Sequence, residues 1–214
     1  MIAMKNGFLI ATEGIDGAGK RTLCSFMKKF LESKEYEVIQ FEYPDYSSIW
    51  GKIIEEYLHH KIELNINEQF FTYFIDILKD QDKICNLLKK GKIVIMDRYF
   101  SSTIAFQCAK GFDFQSALSI IRTMHVIEPD LTLFIQIPPG LALERKFKQK
   151  RSLDRHEKDR ELLEKVDNIY EKMLNHEILS KMWIKIDGDR NLNKIKEDIQ
   201  HILDTYLVHI DVKG

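Results

Sequence analysis

Cysteine is scarce in this chain of 214 residues: Cys24, Cys85 and Cys108 are scattered, odd in number and in no Cys-x-x-Cys pair. That argues against a disulfide framework and reads as buried thiols in a reducing compartment. A surplus of one charge is missing too. Thirty-two Lys and Arg against 33 Asp and Glu leave a formal net charge of -1. No broad field therefore draws in nucleic acid or a membrane surface, and each basic cluster has to be read by itself. No apolar run is long enough to span a bilayer and no signal peptide is visible, so a cytoplasmic protein is expected. Repeats, low-complexity tracts and linkers are absent. With 44% apolar and 30% charged residues, the expectation is one domain over 1–214 with a substantial core.

What the chain does have is a phosphate loop. The apolar run Phe8 to Ala11 leads into Thr-Glu-Gly-Ile-Asp-Gly-Ala-Gly-Lys-Arg-Thr and then into a helical pattern. Gly14, four residues, Gly19 and Lys20 have the required spacing. Glycines let the backbone curl until the amides of Gly14, Ile15, Asp16, Gly17, Ala18, Gly19, Lys20, Arg21 and Thr22 converge on an anion. The helix behind them adds its positive end, and Lys20 a mobile charge for the outer phosphates. Leu23, Phe26, Met27, Phe30 and Leu31 lie on one face of that helix. The position after the lysine, normally a Ser or Thr that binds Mg²⁺, holds Arg21. Either Thr22, or water held by Glu13 and Asp97, takes over the metal, or Arg21 itself faces a phosphate.

Further along, apolar runs alternate with helical periods. Strands are expected at Tyr36–Phe41, Lys92–Met96, Leu131–Ile137 and Met182–Ile186. Helices are expected at Ile49–His60, in one long stretch from Phe70 to Leu88 closed by Gly91, and around Phe114–Met124, Leu141–Phe147, Leu162–Leu174 and Leu192–Tyr206. The alternation implies an α/β fold with a parallel sheet covered on both faces, its ligands at the carboxyl ends of the strands. The basic stretch from 148 to 158 sits between two helices.

One strand ends in Ile95-Met96-Asp97-Arg98-Tyr99-Phe100-Ser101-Ser102-Thr103-Ile104-Ala105-Phe106-Gln107. This closely resembles the Asp-Arg-Tyr-x-x-Ser-x-x-Ala-Tyr-Gln signature of thymidylate kinases, with Phe106 for the tyrosine. With the phosphate loop, the resemblance covers nearly the whole chain. It implies a three-layer fold of the phosphate-loop NTPase type, five parallel strands with a short lid near 148–158, and transfer of a phosphoryl group from ATP to dTMP with Mg²⁺. It implies a homodimer as well. By the same resemblance, Asp16 would contact the acceptor's 3′-hydroxyl and Arg98 would fork onto its phosphate. Ser102, Phe106 and Gln107 would line the base pocket, Phe106 being equally readable as core. Asp97 would serve the metal.

The lid resemblance rests on Leu153-Asp154-Arg155-His156-Glu157, which is similar to Asp-Arg-x-Glu. Phosphoryl transfer is mostly positioning and charge neutralisation, so a lid arginine is expected to act, Arg151 or Arg155. Arg145, just before the lid, would stack on adenine. Three departures stand out beside Phe106. Many members carry a phosphate-gripping arginine on the long helix. Here that position is Asp76 or Ile77, and Lys79, one turn along, is the candidate replacement. The segment Tyr43-Pro44-Asp45-Tyr46 stands where the family has Phe-Pro-Asp-Arg, which puts Tyr43 at the acceptor. Arg21 is the third. Tyr73 or Phe74 either stacks on the base or packs the helix. A GTPase is excluded by the lack of Asn-Lys-x-Asp. A kinase for another monophosphate and a nucleotide-binding protein without turnover remain alternatives.

Overall fold

A computed structural model describes residues 7–149, 154–156 and 159–207. Strands β1 Phe8–Glu13, β2 Val38–Glu42, β3 Ile93–Asp97, β4 Leu131–Gln136 and β5 Trp183–Asp187 form one sheet. Between them run α1 Lys20–Ser33, α2 Ile49–Leu58, α3 Ile66–Leu78, α4 Gln81–Lys89, α5 Phe100–Ala109, α6 Phe114–Thr123, α7 Pro139–Gln149 and α8 Arg160–Asn175, with α9 Leu192–Leu207 after β5.

The sheet is wholly parallel, in the order β2-β3-β1-β4-β5. Its middle strands are apolar because both faces are covered: Leu9, Ile10, Ile93, Val94, Ile95 and Met96 are fully buried. The register sets the carboxyl rim. Thr12 pairs with Asp97, Asp97 with Glu42, and Gln136 with Asp187. Functional side chains at the ends of β1, β2 and β3 are thereby brought side by side.

The elements agree with the sequence pattern except in two places. The stretch from Phe70 to Leu88 is two helices, α3 and α4, turning at Lys79 and Asp80 without a glycine or proline. In addition, α5 is a helix that the periodicity did not mark. Every residue from Phe100 to Gln107 is buried, polar Ser101, Ser102 and Thr103 included. A helix covered all round shows no amphipathic stripe. It packs chiefly against α8 and α3.

Local chemistry starts several helices. Ser48 caps α2 through the Gly51 amide at 2.8 Å. Asn65 and Glu68 form a reciprocal capping box on α3. Asp159 accepts from the Leu162 amide at 2.9 Å to open α8.

Candidate active site

The loop between β1 and α1 is built on backbone that only glycine takes easily. Gly14 has φ +141°, and a Cβ there would lie 2.3 Å from the Ile135 carbonyl oxygen of β4. Gly19 caps α1 in the left-handed region at φ +89°. The Lys20 ammonium is buried inside the loop and donates to the Ile15 carbonyl at 2.8 Å. Burial, then the neighbouring Arg98, pulls its pKa down to about 8, against the opposing pull of Asp16, Asp97 and Glu13. A desolvated cation of this kind binds an incoming anion strongly.

Arg98 follows β3 with a left-handed φ of +69°, a strained conformation for a side chain of this size. Its own amide donates to Thr12 O at 3.1 Å. The guanidinium donates to Gly14 O at 2.9 Å, Ser102 Oγ at 3.0 Å and Asp16 Oδ1 at 2.7 Å, and lies 5.2 Å from the centre of the Phe106 ring. Burial would raise the Asp16 carboxyl. Arg98, Lys20 and Lys146 outweigh it and hold that group well below the usual range. Asp16 is thus a carboxylate fixed as an acceptor, beside a fork of donors.

Beneath them Glu13 is fully buried. It accepts from the Tyr99 amide at 2.8 Å, the Tyr170 hydroxyl at 3.0 Å, and both the amide and hydroxyl of Ser102. Burial raises its carboxyl despite these donors and Arg98. Glu13 therefore braces the turn at Asp97–Ser102 from below.

A cavity of about 490 Å³ opens above this floor. On one side it is walled by Gly17, Gly19, Lys20, Arg21 and Thr22. Glu42, Tyr43, Pro44 and Tyr46 form a second side, and Tyr73, Asp76 and Ile77 of α3 a third. Asp97, Arg98, Ser102, Thr103 and Phe106 form the floor, and Asp154 and His156 close it. Tyr73, Asp76, Thr103 and His156 had no place among the expected site residues, apart from the Tyr73 or Phe74 alternative. Asp76 accepts from the Asp45 amide at 2.8 Å and the Ser48 hydroxyl at 2.6 Å, tying the Tyr43–Ser48 loop to α3.

Other expected residues lie away from the cavity wall. Phe74 packs in the core against Phe70 and Phe100, while its neighbour Tyr73 takes the wall. Lys79 is held by the carboxylates of Asp45, Asp76 and Asp80 at 3.3, 3.0 and 2.9 Å and faces the Tyr43 ring. Gln107 is fully buried in α5, and its amide has no partner among the described residues. Arg145 donates to Gly17 O at 3.4 Å and Gly188 O at 3.1 Å, bridging the loop to the turn after β5. Arg155 forks onto Glu63 at 2.9 and 2.6 Å and stacks on Tyr57, so it points out of the cavity. Arg151 lies outside the described residues. Arg21, by contrast, lines the cavity and rests 3.4 Å from Glu42.

Among the described residues no group of three or more His, Cys, Asp or Glu side chains is arranged to hold a metal. A Mg²⁺ brought in by phosphates asks for less, one or two carboxylates and some waters. Asp97, buried at the end of β3, and the Thr22 hydroxyl supply hard oxygen donors on the same cavity beside Lys20.

Comparisons with known proteins bear on the family and the fold. A family model described as thymidylate kinase matches residues 12–199. The thymidylate kinase of Leptospira interrogans serogroup Icterohaemorrhagiae serovar copenhageni is 32% identical over 211 residues, covering 98% of each chain. That of Thermosipho africanus is 31% identical over 203 residues, 92% of this chain and 98% of its own. A solved thymidylate kinase structure from Candida albicans matches with a TM-score of 0.78 at 24% identity, over 95% of this chain and 94% of that one. That likeness bears on the fold.

Proposed function

The chain belongs to the thymidylate kinase family, and we propose that it transfers the terminal phosphoryl group of ATP to dTMP, giving dTDP. The observation that carries this reading is the Arg98–Asp16 pair, 2.7 Å apart, which lies across the mouth of the phosphate loop and on the wall of one cavity. An acceptor phosphate meeting Arg98 would face a donor phosphate chain wrapped by the loop and Lys20. Positioning of that kind does most of the work in phosphoryl transfer. Asp16, kept ionised, accepts from a sugar hydroxyl. Tyr73 and Phe106 give the base apolar faces, and Ser102 holds Arg98 in place.

Mg²⁺ would be held by Asp97, the Thr22 hydroxyl and the donor's own phosphates, neutralising charge on the phosphate chain. Arg145 bridges the phosphate loop to the turn after β5, so adenine is assigned to that edge. Lys79, caged by three carboxylates, and Arg155, held by Glu63 and the Tyr57 carbonyl, are assigned to holding loops, and Phe74 and Gln107 to packing. A cytoplasmic homodimer completes the proposal. Its support is the family and, for the location, that among the described residues no helix is long and apolar enough to cross a membrane.

A second reading, a different monophosphate as preferred acceptor, is favoured by one observation. The α3 wall presents Asp76 and Ile77 where family resemblance leads one to expect an arginine. A coupled assay of ADP release against a panel of monophosphates separates the readings. dTMP is expected to give the highest kcat/KM. A higher value for another monophosphate would select the second reading, and no stimulation by any of them would sink both.

A further inference from the structure

The cations around the cavity differ in how firmly they are already engaged. Arg98 is held by three acceptors and Lys20 by a carbonyl. Lys79 is caged by three carboxylates, and Arg155 is forked onto Glu63. Arg21 stands apart. It lines the cavity between Lys20 and Thr22, its side chain is 77% exposed, and its ion pair with Glu42 is long, at 3.4 Å. Exposed pairs of this kind are weakly held and screened by salt.

Its position gives that freedom a use. Arg21 is the second residue of α1, one step past the lysine that faces the phosphates. Glu42, its resting partner, ends β2 and is in register with Asp97 at the end of β3. The guanidinium therefore lies over the carboxyl ends of these strands, on the side of the cavity that a phosphate chain seated on the α1 N-terminus would reach. A phosphate carries more charge than one carboxylate and takes a guanidinium fork in two parallel hydrogen bonds.

We propose that Arg21 is a phosphate-binding residue of this enzyme: when ATP enters, its guanidinium leaves Glu42 and engages the donor's phosphate chain. Charge that a hydroxyl at this position would recruit through a metal ion is here carried in part by the protein. The inference rests on the proposed use of ATP, and its test can be read without turnover. Calorimetric titration of the full chain with ATP in EDTA should show binding in the wild type. In Arg21→Gln that metal-free affinity should fall about tenfold or more, Arg21→Lys should recover part of it, and Glu42→Gln should tighten it. In Mg²⁺, Arg21→Gln should lower kcat about tenfold, the scale for losing one charge-assisted hydrogen bond, with little change in KM for the monophosphate. Equal metal-free affinity in wild type and Arg21→Gln, or no metal-free binding at all, overturns the proposal. Metal-free binding lost in Arg21→Gln by an enzyme that phosphorylates no monophosphate would leave Arg21 assigned and refute the proposed reaction instead.

Discussion

Arg98 is a single side chain that bridges to the phosphate loop and holds Asp16, and in the proposed reaction it also presents a fork to the acceptor. Arg98→Ala should cut kcat/KM for dTMP by about a thousandfold, because a charge donor and a positioning contact go together. ATP affinity, measured by calorimetry, should change far less. Gln107 tests the opposite case, a buried polar group assigned to packing. Its buried amide has no partner among the described residues, so Gln107→Leu should leave stability unchanged or raise it by about 1 kcal/mol in urea unfolding. A loss of more than that would mean the amide is paired in solution. At this scale the sequence was most legible where chemistry is local. Gly14 and Lys20 follow from spacing in the loop after β1, and Asp97 and Arg98 stand in the motif at the end of β3 that carries the family resemblance. Tyr73 against Phe74 was not decidable, because adjacent aromatic residues on α3 straddle the boundary between wall and core. Asp76 and Thr103 could not be found without knowing which helix faces which.

Helices and loops carry the next set of consequences. Asp76 is 1% exposed and joins α3 to the Tyr43–Ser48 loop through Asp45, Ser48 and Lys79. Asp76→Ala strips partners from a buried network and should cost about 3 kcal/mol, read as a lower urea midpoint. The segment Asp154–His156 leans on α2. Arg155 donates to Tyr57 O at 3.2 Å, and the His156 ring packs on Tyr73 and Phe106 and meets the Lys110 Nζ. Burial, then Lys110, Arg98 and Arg155, pushes His156 well below its ordinary value, with Asp16 opposing, while burial and Arg155 bring Lys110 down to about 7. The imidazole is therefore the neutral partner. A depressed pKa of this sort contributes stability that is full above the unfolded value near 6.5 and is lost as pH falls below it. Hydrogen exchange at 154–156 should accelerate as pH is lowered from 7 to 5, beyond the intrinsic pH effect, and His156→Phe should flatten that response. The sequence showed this segment as basic and marked its histidine only through a motif, since the partner Lys110 lies 46 residues away. It also hid α5, whose uniform burial erases periodicity, and fused α3 with α4, because an apolar stripe runs across the turn at Lys79–Asp80.

For the molecule as a whole, the parallel sheet and its crowded carboxyl rim were legible from alternation alone, and the rim is where ligand binding should register in stability. ATP at a hundred times its Kd should add about 2.7 kcal/mol, a rise in melting temperature of roughly 5–10 °C for a chain of this size. Adding dTMP should raise it further, in a scanning fluorimetry series. Ligand addition that leaves the melting temperature fixed would contradict a single shared cavity. The aromatic stripe of α3 divides between roles: Phe70 and Phe74 are core, and Phe71 is 43% exposed. Sedimentation of Phe71→Asp against wild type measures whether that face joins two copies. The strand order has a genetic side as well. β1, carrying the shared loop, is central, with β3 and β2 on one flank and β4 and β5 on the other. Tyr43 and Tyr46 follow β2, and the Arg145–Gly188 contact sits beside β5. In the proposed reaction the acceptor's wall from Glu42 to Phe106 and adenine's edge at Arg145 are thus encoded by separate stretches of the gene, joined by Asp154 and His156, which come from the adenine-side half yet close the acceptor's cavity.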